Sequence, residues 1–175
     1  HRREIEERLI TELAGSLPQQ SVCTLTRQHS MHPAIGDLVS QIFYDGRLVS
    51  SPRSESALMA KALGGNLVWR NGRKGGSERR AGLSYNNRDE AREISEILKL
   101  LDSAAASLSM TGVKVAVITG YSAQVRTLQE VIGSSRSSLK RLHLRIATID
   151  SFQGQESDIC IVSMTRDNRK DEVGF

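Results

Sequence analysis

Aromatic residues are scarce in this chain: one Trp, three Tyr and three Phe among 175 residues, or 4%. So few π-faces argue against a broad base-stacking platform, and any grip on nucleic acid must go mainly to the backbone. No apolar run approaches the ~20 residues that cross a bilayer, so no membrane span is expected. Cysteine is nearly absent. Cys23 and Cys160 each stand alone in an apolar segment, which reads as buried thiols in a reducing, cytoplasmic or nuclear setting and not as a disulfide framework. No second His or Cys lies at ligand spacing from His32, so no metal site is expected and His32 reads as a capping or packed residue. Ser151 lacks the flanking glycines of a nucleophile elbow, and Asp150 with Glu156 has neither nucleophile nor metal beside it, so no catalytic residue is assigned. There is also no G-x-x-x-x-G-K-[ST] phosphate loop and no acidic pair after an apolar strand. Alone, the chain has no cradle for a triphosphate and its magnesium.

What is present is the composition of one soluble globular domain, spanning residues 1–175, with 38% hydrophobic and 25% charged residues. The net charge of +4, from 24 Lys and Arg against 20 Asp and Glu, favours a polyanionic partner only mildly. The chain starts at His1 without an initiator methionine, so it is expected to be a piece of a longer protein.

Apolar residues at helical spacing predict a first helix over Glu4–Leu13, and Val22–Thr26 reads as a strand. Pro33, suited to a first helical turn, opens a helix whose Ile35, Leu38, Val39, Ile42 and Phe43 share one face. Asn66–Arg70 reads as a strand and the basic, glycine-rich Asn71–Gly82 as a surface loop. Asn87 with Glu90 three residues later marks the start of a long helix. Lys114–Thr119, Leu144–Ile149 and Asp158–Met164 read as buried strands, with a helix after the first. This alternation predicts an α/β fold with a doubly wound, mainly parallel sheet. The absence of a glycine-rich turn after the first strand disfavours a dinucleotide-binding metabolic enzyme.

Ligands bind such sheets beyond the carboxyl ends of the strands, so three loops hold the chemistry. Thr148, Asp150, Ser151, Phe152, Gln153, Gly154 and Glu156 form a T-x-D-S-F-Q-G-x-E run that resembles motif V of superfamily 1 helicases, in the branch of the nonsense-mediated-decay helicase. Gln28-His29-Ser30-Met31-His32-Pro33 resembles that branch's Q-Y-R-M-H-P, with Ile35, Ser40, Phe43, Tyr44, Gly46 and Leu48 in register behind it. Val117, Ile118, Thr119, Tyr121, Gln124 and Val125 resemble its V-I-T-P-Y-x-x-Q-V, with Gly120 in place of proline.

The resemblance covers about Val22–Phe175 and implies the second, C-terminal RecA-like motor domain of an ATP-dependent helicase, with helices on both faces of its sheet. It implies that His29, Ser30, Gly154 and Glu156 face the nucleotide. Thr119, Thr148 and Ser151 would meet the phosphates of a single DNA or RNA strand, with Gln153 beside them. Tyr121 is expected either to stack on a base or to anchor its own loop. ATP and Mg²⁺ would bind only with the first RecA-like domain of the same polypeptide. Two departures matter. Ser30 stands where relatives carry an arginine that reaches the γ-phosphate, and a hydroxyl cannot replace that guanidinium fork. His29 stands for a tyrosine that stacks on adenine, and its imidazole can still stack, with less area. The expected arginine-bearing motif after Gly174-Phe175 is not in this chain. The alternative is a catalytically degenerate RecA-like domain that binds nucleic acid or protein.

Overall fold

The computed structural model describes residues 12–13, 15–72 and 78–168. The chain divides into two compact units, His1–Ser54 and Glu55–Phe175. Most of the first expected helix lies outside the described residues, although Glu12 and Leu13 are helical.

In the first unit, β1 (Arg27–Gln28) and β2 (Val49–Ser50) pair in parallel, Arg27 against Val49, and α1 (Pro33–Phe43) links them. Pro33 needs no amide partner at the first turn, and His32 caps the helix by accepting from the Ala34 amide at 3.2 Å. Val22–Thr26, expected as a strand, carries no ladder. Pairing begins where the Thr26 carbonyl accepts from the Val49 amide at 2.7 Å. Helix α1 lies so close to the strands that a Cβ on Gly36 would fall 2.1 Å from Ser50 Oγ and 2.7 Å from Gln28 Nε2. Glycine is there for close approach.

The second unit contains α2 (Ala57–Leu63), an antiparallel hairpin of β3 (Glu78–Ala81) and β4 (Ser84–Asn87), α3 (Arg88–Ser107), β5 (Val113–Thr119), α4 (Ser122–Gly133), β6 (Leu142–Thr148), the single turn α5 (Ile149–Phe152) and β7 (Ile159–Ser163). Strands β6, β5 and β7 form a parallel sheet in that order. Val113, Val115 and Val117 alternate towards one face, where Leu98 and Leu101 of α3 and Leu128 of α4 are fully buried. Each such leucine contributes ~1.5–3 kcal/mol by leaving water. On the opposite face Phe152 of α5 lies by Ala116 and Arg145, while Lys114, His143, Cys160 and Val162 are exposed. The class is the α/β fold with a mainly parallel sheet that the alternating pattern predicts.

Besides Val22–Thr26, three expectations are corrected. Asn66–Arg70 forms no strand, and Leu67 and Trp69 stay 49% and 76% exposed, because apolar β-formers make a strand only where a neighbouring edge accepts their amides. The basic loop ends earlier than Gly82, because Arg79 and Arg80 pair with Asn86 and Tyr85 in the hairpin. Arg73, Lys74, Gly75 and Gly76 lie outside the described residues. Cys23 and Cys160 are exposed free thiols, since Cys160 points to the open sheet face and Cys23 has no ladder around it. No described helix is long and apolar enough to cross a membrane.

Candidate functional site

The carboxyl ends of the three strands are in register: Thr119 of β5 stands opposite Thr148 of β6 on one side and Ser163 of β7 on the other. The loops after β5 and β6 therefore leave the sheet side by side. After β6, Thr148 caps α5: its hydroxyl accepts from the Ser151 amide at 3.3 Å and lies 2.9 Å from Ser151 Oγ. The Ser151 hydroxyl also reaches the Thr148 carbonyl at 3.0 Å, and Gln155 Nε2 donates to the Ser151 carbonyl at 3.1 Å. This tight turn presents Ser151, Gln153 and Gly154 to solvent, with Thr148 half-buried beneath. Gly154 has φ +78 with nothing within 4 Å of a would-be Cβ. Its glycine answers a left-handed backbone and leaves open space in front of it. Glu156 lies farther along, in a recess of about 210 Å³ on the open sheet face with Lys114, Arg145 and Phe152, and not beside Thr119 and Thr148.

Thr119 is fully buried, its hydroxyl 3.0 Å from Thr165 Oγ1 and accepting from the Tyr121 amide at 3.3 Å. It has no solvent exposure. Tyr121, 7% exposed, meets Tyr85 edge-on at 5.9 Å and bonds Arg166, contacts that tie its loop to the hairpin. Arg166 also pairs with Glu78 at 3.1 Å and lies 4.2 Å over the Tyr85 ring. Burial pushes the Glu78 carboxyl up, but hydrogen bonds from Asp167, Arg166 and Asn168 outweigh it and hold it below 4.5.

Behind these loops lies a polar network that the sequence pattern did not single out as a unit. Gln124, with no exposure, accepts from the Asn87 amide at 2.7 Å and donates to the Asn87 carbonyl at 3.1 Å and Ser163 Oγ at 3.0 Å. Glu90 takes the Met164 and Thr165 amides at 2.8 Å each, and Asn87 caps α3 by accepting from the Glu90 amide at 3.0 Å. Burial raises the Glu90 carboxyl above 4.5 against these donors. Thr165 adopts φ +69, a conformation rare for a β-branched residue, and the paired Glu90 bonds hold it there. Gln124 was legible through its motif; Glu90 showed only as a helix-start residue.

In the first unit, Gln28 closes the turn after β1, accepting from the Met31 amide at 2.8 Å and donating to its carbonyl at 3.1 Å. His29 and Ser30 are exposed on that turn, with His29 Nδ1 2.7 Å from Ser51 Oγ. Arg53 donates from its guanidinium to the His29 carbonyl at 2.9 Å, which sets a cation one residue from Ser30. No motif marked Arg53, which lies beyond the matched run and is brought back by β2.

A sequence profile described as the AAA domain matches residues 3–175. A Takifugu rubripes protein described as a regulator of nonsense transcripts 1 is 32% identical over 158 residues, covering 85% of this chain. The Mus musculus protein described as probable helicase senataxin is 30% identical over 174 residues, covering 98% of the chain. A Drosophila melanogaster homologue of regulator of nonsense transcripts 1 is 30% identical over 159 residues, covering 85%. The chain spans only 14%, 6% and 13% of these relatives' lengths.

Proposed function

Because this chain belongs to the AAA domain family, in the superfamily 1 branch that is like the nonsense-mediated-decay helicase, we propose that it is the second motor domain of an ATP-dependent helicase or translocase. It supplies one wall of an ATP cleft and part of a single-strand track. The observation that supports this reading is the register of Thr119 with Thr148 and Ser163, which sets the motif loops after β5 and β6 along one carboxyl edge of a parallel sheet.

On that edge the strand contacts fall to Thr148, Ser151 and Gln153, with Thr119 and Tyr121 as roots behind them. The Thr148–Ser151 turn offers hydroxyls to a phosphodiester, and the buried network keeps the turn's base from shifting. Gly154 and Glu156 in the second unit, and His29 and Ser30 in the first, are each assigned to the nucleotide, and the open Gly154 suits close backbone approach to ribose and phosphates. Mg²⁺, when bound, neutralises phosphate charge during transfer. These residues are assigned to one wall, and the metal and phosphate cradle to the first RecA-like domain of the same polypeptide.

The chain alone is expected to show no ATP turnover and only weak, salt-sensitive binding to single strands. A phosphate-release assay with and without oligonucleotide checks this, and robust stimulated turnover would contradict the half-site reading.

A further inference from the structure

We propose that the edge strand β6 and the turn before it form a second polyanion site, for the sugar-phosphate backbone of a nucleic acid, outside the motif loops. Between Glu130 and Asp150 the sequence holds no carboxylate, yet it carries Arg136, Lys140, Arg141, His143 and Arg145. Side chains on a strand alternate, so Arg141, His143 and Arg145 share one face while Leu142 and Leu144 point to the core. Lys114 of β5 stands directly opposite His143 in the ladder and widens the cationic face. The ~3.3 Å rise per residue spaces alternate side chains ~7 Å apart, about the axial rise of two phosphates on a duplex strand. The Arg136 guanidinium reaches the Leu144 carbonyl at 3.3 Å, and a shallow recess of about 380 Å³ opens between Arg136 and Arg145.

Edge strands often carry charge to prevent pairing with another chain, and mixed charges would serve that purpose equally well. Along residues 131–149 the charge has one sign; Glu156 shares the recess with Lys114 and Arg145, and Asp102 and Asp158 accept from the Arg141 and Lys114 amides, but none of the ion pairs among the described residues uses Arg136, Lys140, Arg141 or Arg145. Protein interfaces are built around exposed apolar anchors. This strip offers little, since Leu139 and Leu142 are only 8% and 9% exposed and Leu144 is half-buried. Charge without apolar anchors matches a phosphate backbone, which is bound mainly by neutralisation and counterion release. The strip also runs into the motif loop, because Arg145 lies 5.9 Å over the ring of Phe152, which follows Ser151. The inference rests on the motor-domain reading only for the continuity of the strand's path.

The test is anisotropy of labelled single strands of about 6 and about 20 nucleotides across a salt series. With Lys140→Ala, Arg141→Ala and Arg145→Ala combined, the longer strand is expected to bind ~10-fold more weakly at low salt, with its logarithmic salt slope reduced by about two. The shorter strand should bind as before and lose affinity with Ser151→Ala. If Ser151→Ala changes nothing while the triple variant weakens the longer strand, the strip stands and the motif-loop reading falls. Wild-type affinity and slope in the triple variant overturn the strip. So does no wild-type binding at low salt, or a preference for polyglutamate over the longer strand. Should the triple variant unfold, Arg145→Gln alone is expected to cost a few-fold and to reduce the slope by less than one, and no change in either again overturns the site.

Discussion

At the turn after β1, Ser30 removes a guanidinium from the motif while Arg53 brings another to the carbonyl of His29. If that cation serves the nucleotide, Arg53→Ala in the complete protein should slow ATP turnover about 10–100-fold, the effect of one charged hydrogen bond of ~1.5–3 kcal/mol. Ser30→Arg in the same background should then restore much of the rate, and unchanged turnover in both would favour the degenerate-module reading. Gly36 makes a second residue-scale case. Alanine is preferred in a helix by ~1 kcal/mol, but its Cβ would strike Ser50 Oγ and Gln28 Nε2. Overpacking costs ~1–3 kcal/mol, so Gly36→Ala should lower the thermal midpoint rather than raise it.

At the scale of elements, helix starts were the most legible features. Pro33 and Asn87 each open a helix in the structure, because a missing amide and a short side-chain acceptor satisfy the first turn wherever the helix later packs. The runs around 113–119, 142–148 and 159–163 were also readable, since in each the residues that face the helices are apolar, although residues 142–148 carry His143 and Arg145 on the other face. The hairpin Glu78–Asn87 was not. Its residues are polar and charged, and its stability comes from non-local groups such as Arg166. That contact has a pH dependence with a definite sign. Glu78 titrates below 4.5 in the folded chain, so its stabilisation is present above that pH and is lost as pH falls through the lowered value. Glu78→Gln should therefore lower the melting temperature at neutral pH and matter progressively less as the pH falls through the lowered carboxyl value. Gln124→Leu should cost about 2–4 kcal/mol at any pH in denaturant titration, because it leaves the Asn87 amide and carbonyl without partners.

For the whole molecule, three ordered motifs identified the family, while the candidate site divides between two units of the chain: His29 and Ser30 belong to one, and Thr148, Ser151, Gly154 and Glu156 to the other. Motif matching names which residues belong to a site but not which of them reach a surface. Burial of Thr119 and placement of Glu156 on the open sheet face depend on packing and on the path of the loop back to β7, and neither is written in the motif. The β6 strip was missed for the opposite reason: its cations match no motif and acquire meaning only once alternate residues are known to share a face.

Trp69 is the only tryptophan in the chain, and its indole is 76% exposed, bonded at 2.8 Å to Asn71. That makes it a built-in optical reporter. Its fluorescence should peak at the red wavelengths of wetted indole in this chain and be quenched readily by iodide. In the complete protein a shift to the blue, read with every other tryptophan replaced, would mark the moment a neighbouring part of the polypeptide closes over this side chain.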